Sequence, residues 1–98
     1  SGHWTIDACL VSQFEQHIRA VAGLPLADPA RHHDAVMRNL IGPAGLEAWP
    51  ALVRDGRVAA HLYGKAEARP GRKLGHATRL LPLGAVATLG DPDLAAEL

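Results

Sequence analysis

Two strand-like segments close around a proline-glycine turn, and no other local signal restricts the fold as much. Val58-Ala59-Ala60-His61-Leu62-Tyr63 runs into a basic stretch, and Leu74-Gly75-His76-Ala77-Thr78-Arg79-Leu80-Leu81 runs out of it. Between them Pro70-Gly71 sets a tight bend between Arg69 and Arg72. The pattern predicts a β-hairpin whose connection carries Arg69-Pro70-Gly71-Arg72. From His61 to His76 the chain places four of its ten Lys and Arg residues, both lysines and two of six histidines, against a single acid, Glu67.

Cations gathered on a constrained turn suit a small anion such as a phosphate. In that reading Lys65 is a mobile point charge, Arg72 a bidentate fork, and Arg69 and Lys73 support them. Glycines at 64, 71 and 75 let a backbone approach a ligand closely. The same charges also fit a solvated hairpin tip, and the residues alone leave both readings open. His61 reads either as a satisfied half-buried histidine or as a donor behind the site, and His76 is in position to contact the same pocket.

The rest of the chain reads as a scaffold. Ser12-Gln13-Phe14-Glu15 has the form of a capping box, and Phe14, Ile18, Val21 and Ala22 follow at helical spacing. Gly23 and Pro25 stop that helix, so a helix is predicted over residues 12–22. Residues 4–11 are compatible with a strand or an early helical turn. Residues 26–34 read as a loop, and residues 35–41 as a strand that Gly42-Pro43 terminates. Residues 46–53 suggest a short helical turn anchored by Trp49, and Arg54-Asp55-Gly56-Arg57 a turn. Asp91-Pro92 would cap a final short helix. The expected fold is a small α+β domain, its main helix packed on a short antiparallel sheet.

Composition removes several functions. With 98 residues the chain makes at most one domain-sized core. Formal net charge is zero, which argues against a nucleic-acid or membrane-surface binder. No apolar run is long enough to cross a bilayer. The single Cys9 rules out an internal disulfide and fits a reducing cytoplasm. Charge is uneven, basic from Lys65 to Arg79 and acidic at Asp91, Asp93 and Glu97. The abrupt start at Ser1 is expected to reflect a piece of a longer enzyme.

Other polar groups offer weaker chemistry. His32-His33 beside Asp34 hints at a metal, but adjacent side chains point apart and no partner lies at ligand spacing. Cys9 with His17, or Ser12 with His17 and Asp7, lacks any motif for a nucleophile and base, and Ser12 serves as a helix cap. Trp4, Met37 and Trp49 are expected in the core. Neither a catalytic residue nor a metal ligand is expected in this chain.

A wider pattern carries a family resemblance. Ser1-Gly2-His3-Trp4-Thr5-Ile6-Asp7-Ala8-Cys9, Ser12-Gln13-Phe14-Glu15-Gln16-His17, Arg19-Ala20-Val21 and Gly23-Leu24-Pro25-Leu26 resemble the N5-carboxyaminoimidazole ribonucleotide synthases, ATP-grasp enzymes of de novo purine synthesis. The likeness continues through Val36-Met37, Asn39-Leu40-Ile41-Gly42 and His61-Leu62-Tyr63-Gly64-Lys65. It ends with Arg69-Pro70-Gly71-Arg72-Lys73 and Gly75-His76, its most specific part. Formate-dependent glycinamide ribonucleotide transformylases share the helix region and the Tyr/Phe-Gly-Lys step, but not the Arg-Pro-Gly-Arg-Lys run.

The resemblance implies a cytoplasmic, commonly homodimeric enzyme. It would use ATP and magnesium to activate bicarbonate, by way of carboxyphosphate, and carboxylate the exocyclic amine of 5-aminoimidazole ribonucleotide. It places the ribonucleotide 5′-phosphate at Lys65 and Arg72, with Lys73, Arg69 and the Ser1-Gly2-His3 turn around the same cleft, and His76 nearby. Residues 1–26 would close the ATP-grasp region and residues 27–98 would form the phosphate-binding subdomain. Magnesium and nucleotide ligands are expected upstream of Ser1, so the chain alone is expected to be inactive. The competing expectations are a non-catalytic anion-binding module, or the equivalent part of another ATP-grasp enzyme.

Overall fold

A computed structural model describes residues 2–64, 69–90 and 98. The elements in chain order are α1 (Thr5–Ala8), α2 (Gln13–Val21), β1 (Asp34–Ile41), α3 (Gly42–Arg54), β2 (Val58–Leu62), β3 (Lys73–Leu81) and α4 (Ala85–Thr88). The Asp91-Pro92 cap lies outside the described residues. None of the described helices is long and apolar enough to cross a membrane.

The predicted hairpin forms. β2 and β3 pair antiparallel with His61 opposite His76, and β1 pairs antiparallel with the other edge of β3, giving the order β1-β3-β2. β3 is therefore the central strand, and Leu74 through Thr78 are buried. The expected α+β class, an antiparallel sheet with helical cover, is the one observed.

The helix over the sheet is α3. Leu40 of β1, Leu52 of α3 and Ala77 of β3 make the buried core, with Trp49, Ala48, Val58 and Leu98 packed against it. Gly42-Pro43 ends β1 as expected but also opens α3, since proline is suited to the first helical turn, where no amide donor is required. The short turn expected at residues 46–53 is thus a helix of 13 residues. Gly45 lets it close on the sheet, because a Cβ there would lie 2.6 Å from the backbone carbon of Leu40.

Helix α2 forms where expected. Ser12 Oγ accepts from the Glu15 amide, and Gly23 turns left-handed at φ 72° to end it. Its apolar stripe is not core, however, for Phe14 is 43% exposed and Val21 73%. Periodicity reports a face, not what covers it. Trp4 is likewise 37% exposed rather than core. The loop after α2 is held by Gln16, whose side-chain amide bonds both the N–H and the carbonyl of Ala27. Asp34 at the head of β1 accepts from Arg31 and from the Gly84 and Val86 amides, joining β1 to α4.

Candidate functional site

The basic turn is built as the sequence predicts. Arg72 N–H donates to the Arg69 carbonyl at 3.0 Å, and Gly71 lies at φ 78°. Those features match a type II turn, with Pro70 and Gly71 at its two central positions. The turn is also docked. Gly42 N–H donates to the Arg72 carbonyl at 2.8 Å, and a Cβ on Gly42 would lie 3.3 Å from both the Arg69 carbonyl oxygen and Pro70 Cα. Gly42, at φ 64°, opens α3. The turn carrying Arg69 and Arg72 is therefore held against a helix N-terminus, where the peptide dipoles favour an anion.

Of the cations expected to bind phosphate, Arg69 is exposed and Arg72 half-buried, and Lys73 starts β3 opposite Ile41. Lys65 and Ser1 lie outside the described residues. Gly2 packs on the indole of Trp4, where a Cβ would meet Cδ1 at 3.0 Å.

His3 and His76 do come together, through a residue to which the sequence reading assigned no role. The Tyr63 hydroxyl lies 2.7 Å from Nδ1 of His3 and 2.7 Å from Nδ1 of His76. A phenol has one proton, so it donates to one imidazole and accepts from the other, and the two rings carry opposite Nδ1 states. His61 and Tyr63 share a face of the hairpin because strand side chains alternate, and His76 faces them from β3. That alternation is legible in the sequence and would have grouped all three.

The network continues to Asp7 on α1. Asp7 Oδ2 and His61 Nε2 are 2.9 Å apart, and the His61 and His76 rings stack with centroids 4.7 Å apart at 25°. His61 is thus half-buried and paired with a carboxylate. His76 has no solvent exposure, and burial pushes its pKa down to about 4, helped by the charges of His61 and His3 and opposed by Asp7. His3 is also held below the ordinary imidazole value, by burial first and then by Lys73. Burial raises the Tyr63 phenol. These effects favour the neutral forms of His3, Tyr63 and His76.

The remaining polar groups are occupied elsewhere. Ser12 caps α2, Asp7 bonds His61, and Cys9 is buried beside the bridge to Arg31, so no nucleophile–base pair forms from them. His32 and His33, expected to point apart, meet edge to face with their Nδ1 atoms 2.7 Å apart.

Residues 35–83 match the family described as "Phosphoribosylaminoimidazole carboxylase C-terminal domain". The chain is 61% identical over 82 residues to the N5-carboxyaminoimidazole ribonucleotide synthase of Brucella melitensis, covering 84% of this chain and 22% of that protein. It superposes with a TM-score of 0.80 and 39% identity on the ADP complex of an N5-carboxyaminoimidazole ribonucleotide synthetase, over 99% of this chain and 25% of that one. A synthase from Aspergillus clavatus, in complex with ADP and 5-aminoimidazole ribonucleotide, superposes with a TM-score of 0.79 at 36% identity, over 98% of this chain and 28% of that one. The chain spans about a fifth of the length of the curated relatives it matches.

Proposed function

The chain belongs to the phosphoribosylaminoimidazole carboxylase C-terminal domain family, the C-terminal portion of the N5-carboxyaminoimidazole ribonucleotide synthases, and from that membership we propose that it supplies the ribonucleotide phosphate site of such an enzyme. The whole enzyme is a cytoplasmic, homodimeric ATP-grasp ligase of purine synthesis. It couples ATP cleavage to carboxylation of the exocyclic amine of 5-aminoimidazole ribonucleotide by bicarbonate, releasing ADP and phosphate. Residues 1–26 complete its ATP-grasp region and residues 27–98 hold the substrate phosphate.

The observation that carries this reading is the docking of the 69–72 turn on the start of α3. Arg72 offers a planar fork matched to two phosphate oxygens, and Lys65 adds a point charge. Arg69 and Lys73 raise the local potential. The α3 N-terminus contributes partial positive charge that needs no side-chain ordering. The same reading assigns Ser1, Gly2 and His3 to the ribonucleotide cleft, with His76, which has no exposure, behind it rather than in contact. Tyr63 fixes the orientation of both imidazoles.

Magnesium does not fit the described residues. Glu15 is paired with Arg19, Asp34 with Arg31, Asp55 with Arg57 and Asp7 with His61. Magnesium asks for an octahedron of oxygen ligands, and the one group of potential ligands that converges among the described residues contains two imidazoles. In this reading nucleotide and magnesium bind to other parts of the enzyme, and this chain by itself is expected to release no ADP from ATP, ribonucleotide and bicarbonate. The relatives reported above are carboxylating enzymes, which favours this reading over a formylating one.

The test is direct measurement of ribonucleotide binding to the intact enzyme carrying Arg72→Ala. A lost charge-assisted contact costs on the order of 1.5–3 kcal/mol. Binding as tight as in the unsubstituted enzyme removes Arg72 from the site.

A further inference from the structure

The sheet face away from α3 carries a cluster that phosphate binding does not use. Asp7 on α1, His61 on β2 and His76 on β3 each offer a ligating atom, and these atoms lie within 4.8 Å of one another. The cluster has an accessible side and a buried floor. The His61 and Asp7 side chains are 36% and 19% exposed, while His76 has no exposure.

His76 supplies an independent observation. Its Nδ1 meets the Tyr63 hydroxyl, and its Nε2 is buried without a hydrogen-bond partner among the described residues. A buried polar nitrogen is normally satisfied. Here the nitrogen left over belongs to a neutral imidazole beside a second imidazole and a carboxylate.

We propose that Asp7, His61 and His76 form a binding site for a divalent transition-metal ion of the zinc type. Two imidazole nitrogens and one carboxylate oxygen are a donor set for zinc or cobalt rather than magnesium or calcium. Three protein ligands leave a fourth tetrahedral position for water or a small anion. Tyr63 is the positioning residue, since a partner on Nδ1 directs a ligating histidine to use Nε2. The ion takes the place of the proton shared by His61 Nε2 and Asp7 Oδ2, and that proton moves to His61 Nδ1. Because the two rings are nearly parallel, His61, the more exposed, turns about its Cβ–Cγ bond to share the ion with His76. Lys73 opposes a cation here and Asp7 favours one, as their opposite effects on His76 show. The proposal does not depend on the phosphate-binding role.

The test is titration of tag-free, metal-stripped protein with Zn2+ by calorimetry and with Co2+ by visible absorption. The expected result is one equivalent bound, with the visible bands of four- or five-coordinate cobalt. Asp7→Asn and His61→Gln, both at accessible positions, should each weaken binding at least tenfold. The double variant His32→Gln/His33→Gln removes the other close histidine pair and should bind as the unsubstituted protein does. Absence of stoichiometric binding overturns the proposal. So does binding that survives Asp7→Asn and His61→Gln, or that disappears with His32 and His33.

Discussion

Gly42 donates its backbone N–H to the carbonyl of Arg72 at 2.8 Å, so the start of α3 and the basic turn of the hairpin form one unit. A side chain at Gly42 would break that unit in two ways. Its φ of 64° is left-handed, and a Cβ would press on the Arg69 carbonyl and Pro70 at 3.3 Å. Gly42→Ala is expected to cost roughly 1–2 kcal/mol in backbone strain alone. In the intact enzyme it should also weaken ribonucleotide binding without touching a charge. Thermal unfolding and ribonucleotide titration check the two effects, and an unchanged melting temperature would remove the strain argument.

Gly75 is needed for a different reason. It lies opposite Leu62, and a Cβ there would collide with the His61 carbonyl. Gly75→Ala must therefore separate β2 from β3, at a cost of about 1–3 kcal/mol or more. Hydrogen exchange should report it as faster exchange at the Tyr63 amide, which donates to the Leu74 carbonyl at 2.9 Å. Protection equal to that of the unsubstituted protein would contradict the close approach.

Tyr63→Phe keeps the ring and deletes the hydroxyl between His3 and His76. Two Nδ1 atoms then lose a partner, and stability should fall by roughly 1–3 kcal/mol. Nitrogen-15 spectra of the imidazoles give the sharper readout. His3 and His76 should show opposite Nδ1 protonation before the substitution and lose that relation after it. Identical tautomers in the unsubstituted protein would rule out the single-proton bridge.

Acid should destabilise the metal-free protein well above the carboxylate range. His76 has a folded pKa of about 4 against an ordinary 6.5, so the unfolded chain takes up its proton first as pH falls. Its contribution to stability is complete above about pH 6.5 and is lost progressively down to pH 4, by about 3 kcal/mol at most. Asp34 adds a second loss at lower pH. The Arg31 guanidinium, followed by the Val86 amide, holds its carboxyl below the usual value, so its contribution is present above about pH 3.8 and fades below it. Denaturant melts at pH 7 and pH 4.5 measure the first effect, and equal midpoints would show that His76 is not kept neutral by burial.

Local chemistry made much of this fold legible. The Ser12 cap, the Gly23 stop, the Pro70-Gly71 turn and the pairing of β2 with β3 each depend on residues close in sequence. What escaped depends on distant partners. Gly42-Pro43 reads as the end of a strand, yet the pair also opens α3, which runs on through Pro50, so the helix that covers the sheet is expected only as a short turn. The apolar stripe of α2 marked a helix correctly and its burial wrongly, because amphipathicity does not identify a partner. In the site, the bend at Pro70-Gly71 between Arg69 and Arg72 was read directly. Tyr63 was legible from strand alternation, but the bond from Asp7 to His61 joins residues brought together only by the tertiary fold.

The most direct test of the central claim is steady-state kinetics of the intact enzyme carrying Arg72→Ala. If the turn grips the ribonucleotide phosphate, the KM for 5-aminoimidazole ribonucleotide should rise by roughly 10- to 100-fold, while the KM for ATP changes by less than about twofold. Equal rises in both constants, or no rise in either, would contradict the assignment.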